Sequence, residues 1–147
     1  MERIVQSVEI STIIHATEDP EKVQVALDMV FPTTLRKLFT RRYLEGHHGN
    51  PIVTVNAKLT RAIDIKLFTQ HFLPKLPYGE KLALLRGLNL LTDAEGNLFI
   101  RVDKQSAFQG LIQLTEQDPI RVKIKFSRLS GKTEALVKKF LEAEGSD

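Results

Sequence analysis

Between residues 2 and 15 the chain alternates, with Ile4, Gln6, Val8, Ile10, Thr12 and Ile14 on one side and Val5, Ser7, Glu9, Ser11 and Ile13 on the other. A period of two predicts a long, half-buried strand. The period then changes. HATEDPEKVQVAL supplies Asp19 as an N-cap, Pro20 at the first helical position and Glu21 in the first turn, where the helix dipole favours an acid. Val23, Ala26, Leu27 and Val30 follow at i, i+3, i+4 and i+7, the apolar stripe of a helix that Phe31 and Pro32 end. Residues 34–40 predict a short helix with Leu35, Leu38 and Phe39 inward and Arg36 and Lys37 outward, and residues 41–44 turn extended. PIVTV, 51–55, reads as a strand. Asn56 or Thr60 then caps a helix through Phe72 with Ile63, Leu67, Phe68 and Phe72 as its core side. LPKLPYGE breaks that helix, a leucine-dense helix over 80–91 carries Gly87, and DAEGN, 93–97, makes a turn.

The last third is predominantly extended. NLFIRV predicts a strand, DKQSAFQG a single helical turn closed by Gly110, LIQL a strand and PIRVKIKF another, before a terminal helix over 132–143 with Leu136, Val137, Phe140 and Leu141 on one face. No repeat, linker or low-complexity tract divides the chain. The expected architecture is α+β, an antiparallel sheet packed with helices, as a single domain over 1–147.

Composition narrows the chemistry. The 147 residues are 42% hydrophobic, enough for a real core, and hold no cysteine, which excludes disulfides, thiolate zinc sites and a cysteine nucleophile. No apolar run reaches the roughly 18 residues of a membrane helix, and the N-terminal alternation is unlike a signal peptide. A soluble, cytoplasmic protein without membrane contact is expected. A formal charge of +3 matters only where the cations cluster.

They cluster twice. In PIRVKIKF, Ile120, Val122, Ile124 and Phe126 share one strand face while Arg121, Lys123 and Lys125 share the other, about 6 to 7 Å apart, a spacing compatible with a phosphate backbone. Arg128 and Lys132 extend the row. The plain alternative is a solvated face, or lysines protecting an edge strand. Arg36, Lys37, Arg41 and Arg42 form the second cluster, with no acid between Pro32 and Leu44 and with Tyr43 following. Cations beside an aromatic suit RNA, where a ring stacks on an unpaired base and the charges hold phosphate; a solvated short helix explains the same run without a ligand.

Other motifs carry less. SRLSGKT ends like a phosphate-binding loop, but Phe126 stands where that motif needs its first glycine. In EGHHGNPI, adjacent His47 and His48 point to opposite sides of an extended segment, so a shared metal is disfavoured; Gly46 and Gly49 suit a turn or bulge instead. His47 remains a candidate for base stacking. In DKQSAFQG, Asp103 is a cap, Phe108 points inward, and Lys104 and Gln105 are either part of a connector or a polar pair presented to RNA. A hydrolase using Glu45, His47 and Asp103 ranks last, since no spacing enforces their proximity, and neither catalytic residues, a metal nor a cofactor is expected.

HATEDPEKVQVAL, EGHHGNPI, IRVDKQSAFQG and DPIRVKIKF occur in an order that resembles a family of archaeal RNA-binding proteins of the predicted exosome-subunit type, over nearly the whole chain. The resemblance implies a fold similar to ribosomal large-subunit protein L-five and a non-enzymatic role in RNA binding, with RNA-processing complex subunits as further partners. It also implies an aromatic residue at the position of His48 in many members, which argues against a metal there. A protein-interaction adaptor, or a homodimer through an exposed strand edge, is the alternative of a different class.

Overall fold

A computed structural model describes residues 4–127 and 132–142. Five antiparallel strands, β1 (Val5–Ile14), β2 (Thr40–Glu45), β3 (Pro51–Leu59), β4 (Asn97–Val102) and β5 (Ile120–Phe126), form one sheet in the order β2-β3-β1-β5-β4. The helices are α1 (Pro20–Val30), α2 (Ala62–Phe72), α3 (Tyr78–Arg86), α4 (Leu88–Leu91), α5 (Lys104–Phe108) and α6 (Thr133–Glu142). The α+β antiparallel architecture expected from the periodicity is what the chain adopts. No helix among the described residues is long and apolar enough to cross a membrane.

The alternation decides which face of the sheet is covered. Val8, Ile10 and Ile14 of β1, Val55, Ala57 and Leu59 of β3, Leu98, Ile100 and Val102 of β4, and all four apolar residues of β5 are buried. Each full burial of such a side chain contributes about 1.5–3 kcal/mol before entropy is counted, so this face must find helices to cover it. It does: Val23, Ala26, Leu27 and Val30 of α1, Phe68 and Phe72 of α2, and Leu136, Val137, Phe140 and Leu141 of α6 are buried in the same cluster. Phe140 meets Phe126 edge-on, with ring centroids 5.8 Å apart. On α2, the His71 Nε2–H donates to the Asp28 carbonyl of α1 at 2.7 Å, and burial holds its imidazole below the ordinary histidine value.

Local chemistry explains the element ends. The Asp19 side chain accepts from the Glu21 amide and Asp103 from the Ser106 amide, so both expected caps form. Elsewhere the structure departs from the sequence reading. β3 runs on to Leu59 because Asn56 and Lys58 pair with Ser11 and Glu9 of β1; neither Asn56 nor Thr60 is the cap of α2, which Arg61 precedes. The buried stripe of α2 is Asp64, Ile65, Phe68 and Phe72, leaving Ile63 and Leu67 exposed. Residues 33–38 form a 3-10 segment, and the leucine-rich helix breaks at Gly87 into α3 and α4. LIQL is no strand, contributing only a bridge between Leu114 and Val102. A register shift between Val5 and Ser7 resets the alternation of β1.

Candidate nucleic-acid interface

The pairing registers state what stands on the second face of the sheet, which α3 and α4 reach at β4, where Leu84, Leu91 and Glu116 share a depression with Phe99 and Arg101. In antiparallel strands, directly opposed residues share a face. One row runs Thr40, Asn56, Ser11, Arg121 and Arg101 across β2, β3, β1, β5 and β4. Beside it, Arg42 opposes Thr54 and Thr54 opposes Ile13; on its other side stand Lys58, Glu9, Lys123 and Phe99, and beyond them Lys125 opposes Asn97. Arg121, Lys125, Asn56, Lys58, Thr40 and Arg42 are exposed.

Charge on this face is unevenly compensated. Lys123 Nζ lies 3.6 Å from Glu9, both side chains 41% exposed, a pair of little energetic weight in water. Arg101 and Arg121 are different: they are opposed across β4 and β5, and neither forms an ion pair with another described residue. Like charges facing one another across a ladder are unfavourable unless an anion stands between them. The Arg101 guanidinium lies over the half-buried Phe99 ring, 5.6 Å from its centroid, which fixes it beside Arg121. Next to Arg121 the surface dips into a depression of ≈ 400 Å³ lined by Ser11, Thr12, Ile13, Thr54, Asn56, Asp118 and Pro119. Hydroxyl and amide groups thus border the cations.

The second basic cluster is divided by the fold. Arg36, on the 3-10 segment, forms a two-pronged pair with Asp28, whose hydrogen bonds and charge raise the guanidinium above its ordinary value. Arg41 points to the helix-bearing side of β2 and donates to Gln24 of α1 at 2.8 Å. Tyr43 shares that side and is 78% exposed. Arg42 alone of the strand pair reaches the open face. Lys37 is exposed on the 3-10 segment.

EGHHGNPI is the tip of the β2–β3 hairpin. β3 pairs with β1 only from Val53 onward, so Pro51 and Ile52 extend past the third strand with β2 as their partner. His48 and Gly49 turn the chain with φ of 62° and 77°, whereas Gly46 is extended. Gly46 has a different reason to be glycine: a Cβ there would meet the Asn50 carbonyl oxygen at 2.9 Å. The His47 side chain, Arg128 and residues 129–131 of SRLSGKT lie outside the described residues. Glu45 ends one outermost strand and Asp103 follows the other, so the fold does not bring together the hydrolase candidates.

Lys104 is a correction. The turn after Asp103 carries it back beneath β1, where it is 8% exposed and donates to the Ile13 carbonyl at 2.6 Å, Glu18 at 3.0 Å and Asp118 at 3.1 Å. A cation so enclosed is an internal cross-link and is not presented to a ligand; its neighbour Gln105 is exposed. His15 closes the cluster, its Nε2 2.9 Å from Asp118. Burial pushes the Asp118 carboxyl up, but the hydrogen bonds from His15 and Lys104 together hold it below the ordinary carboxylate value. His15, Glu18 and Asp118 are close enough to share a metal, yet the Lys104 ammonium already bridges the two carboxylates and offsets one of their charges.

Sequence reasoning missed Arg101, Ser11, Thr54 and Asn56. NLFIRV shows by alternation that Arg101 shares a face with Phe99, but its place opposite Arg121 is a matter of register.

This fold and face define a class: an α+β domain with helices on one side of an antiparallel sheet and a basic, hydrogen-bonding surface on the other. The chain belongs to a family described as RNA binding, which matches residues 7–126. It is similar to the RNA-binding protein PAB1135 of Pyrococcus abyssi, 36% identical over 146 residues that cover 96% of this chain and 95% of that protein. Among solved structures it resembles protein AF2318 of Archaeglobus fulgidus, with 33% identity, a TM-score of 0.74 and coverage of 94% and 98% of the two chains. It also resembles Mth689, a DUF54 protein of Methanothermobacter thermautotrophicus, at 30% identity, TM-score 0.72 and coverage of 95% and 98%.

Proposed function

We propose that this chain is a non-enzymatic RNA-binding domain that holds RNA on the open face of its sheet. Arg101, Arg121, Lys123 and Lys125 contact phosphates from one side of that face and Arg42 from the other. The observation that carries this reading is the opposed pair Arg101 and Arg121, two cations adjacent in register, neither in an ion pair with another described residue. An arrangement that is unfavourable by itself becomes favourable when a phosphate bridges it. The family description and the printed name of the Pyrococcus relative support RNA as the anion. Association with RNA-processing complexes, including the exosome, a fold relationship to ribosomal protein L-five and a cytoplasmic location belong to the same proposal.

The test is a fluorescence-anisotropy titration with an RNA hairpin over a series of salt concentrations. Binding should weaken with salt at a slope that counts the released counterions, and Arg101→Gln with Arg121→Gln should reduce that slope by about 2. A slope unchanged by the double variant would remove the open face from the site.

A second reading has one observation in its favour. All six residues of β2 are exposed and its outer edge is unpaired in the sheet, the geometry of strand addition by a protein partner. Two copies joined there would bring their Arg41 and Arg42 side chains together, which disfavours a homodimer. A complex with a protein partner that is lost on Leu44→Pro, with no RNA affinity, would establish it.

A further inference from the structure

The open face specifies more than a charge, and we infer that it takes double-helical RNA in preference to unpaired strands. This rests on the reading above and names the class of RNA. Proteins that hold single strands supply rings on which successive bases stack. The chain has eight phenylalanines and two tyrosines. Only Phe99 stands on the open face, where it is half-buried and has the Arg101 guanidinium over it. The two exposed tyrosines are elsewhere: Tyr43 shares the helix-bearing side of β2 with Val53, and Tyr78 opens α3. Among the described residues the face offers no free phenyl or phenol ring for stacking.

What it does offer is arranged in three bands. Arg101 and Arg121 stand on β4 and β5, and Arg42 stands on β2, three strands from β5 and two residues further along. Strand spacing and rise put Arg42 and Arg121 about 16 Å apart between Cα atoms. Between them lie the hydrogen-bonding groups of Ser11, Thr54 and Asn56 around the shallow depression, whose one carboxylate, Asp118, is paired with Lys104 and His15. An arginine pair on one side and Arg42 on the other, with hydroxyl and amide groups between them, suit the wide, shallow minor groove of an A-form helix. One backbone strand meets the pair, the other meets Arg42, and the 2′-hydroxyls in the groove meet the polar band. Ser11, Thr54 and Asn56 are then the residues that distinguish RNA from DNA, since only RNA presents the 2′-hydroxyl.

Three labelled probes test this with the full chain: a blunt RNA duplex, one of its strands alone in a sequence that does not self-pair, and the DNA duplex of the same sequence. The RNA duplex should bind at least about 10-fold tighter than either of the others, the scale of one to two well-made hydrogen bonds to a charged or hydroxyl partner. Ser11→Ala with Asn56→Ala should shrink the RNA-over-DNA ratio to about threefold, with an unchanged melting temperature showing that the fold survives. Equal or tighter binding of the single strand, or of the DNA duplex, overturns the inference while leaving RNA binding in place. No binding to any probe at low salt overturns the RNA reading itself.

Discussion

The two basic clusters look alike as sequence and differ as structure. Arg36, Lys37, Arg41 and Arg42 have no acid between Pro32 and Leu44, and Arg121, Lys123 and Lys125 alternate with core residues. Folding supplies the first cluster with partners from α1: Asp28 takes Arg36 and Gln24 takes Arg41. Folding supplies the second with one exposed acid, Glu9 beside Lys123, and with another cation, Arg101. Charge density along the chain is therefore a poor guide to charge available to a ligand. The pairing register and the helix opposite decide how much of it is left over.

The sharpest way to break the comparison is to reverse charge in each cluster. Arg101→Glu with Arg121→Glu should lower affinity for an RNA hairpin by about 100-fold, since two charge-assisted contacts become two repulsions. Arg36→Glu with Lys37→Glu should change it by less than about threefold, the scale of a distant, screened charge. Equal losses from the two pairs, measured by anisotropy at one salt concentration, would return the clusters to equality.

Lys104 separates cations proposed to bind from cations that build. Lys104→Met leaves Glu18 and Asp118 without their central ammonium. Both carboxylates retain some access to water, so a loss of about 2 kcal/mol is expected, below the 3–5 kcal/mol typical of a fully buried pair. Chemical denaturation measures it. Affinity for RNA, measured where the variant is fully folded, should stay within about twofold, because a cation enclosed by two acids and a carbonyl has no donor left to offer.

Neighbours on one strand sharpen the contrast further. Arg41 and Arg42 are adjacent in sequence and point to opposite sides of β2. Arg42→Ala should weaken RNA binding by about fivefold, the value of one phosphate contact of modest strength. Arg41→Ala should leave it unchanged. The reverse result would move the interface to the helix-bearing side, next to Tyr43.

Much of this fold was legible because alternation and capping are local. β1, β4, β5 and the starts of α1 and α5 follow from period-two patterns and from Asp19 and Asp103, each acting within a few residues. β3 and α2 were misjudged at their junction because Asn56, a good cap by propensity, is held in a strand by its partner Ser11, 45 residues away in the chain. The candidate site is half legible for the same reason. Arg121, Lys123 and Lys125 announce a face, but Arg101, Ser11 and Asn56 join it only through register, and Lys104 leaves the surface only because Glu18 and Asp118 converge on it. Non-local pairing is not written in any window of sequence.

The smallest expected effect concerns pH, and it separates the α1–α2 contact from the Lys104 cluster. His71 donates from Nε2 to the Asp28 carbonyl, which leaves Nδ1 bare toward Lys75 Nζ, 3.5 Å away. Burial first, and the Lys75 charge with it, hold the imidazole below its ordinary value, so the folded protein favours the neutral ring. A base with a lowered folded value contributes stability above its unfolded value, near 6.5, and loses that contribution as pH falls through it toward the folded one. Melting temperature should therefore fall between about pH 7 and about pH 5, and His71→Gln, whose amide can still donate to the Asp28 carbonyl, should flatten that limb. Asp118 acts lower on the scale. Its folded value is below the ordinary carboxylate one, so its stabilisation is present above that range and disappears only as acid protonates it. Asp118→Asn should flatten the acid limb and leave the histidine limb intact, and a single substitution that removed both would mean that the two clusters titrate as one unit.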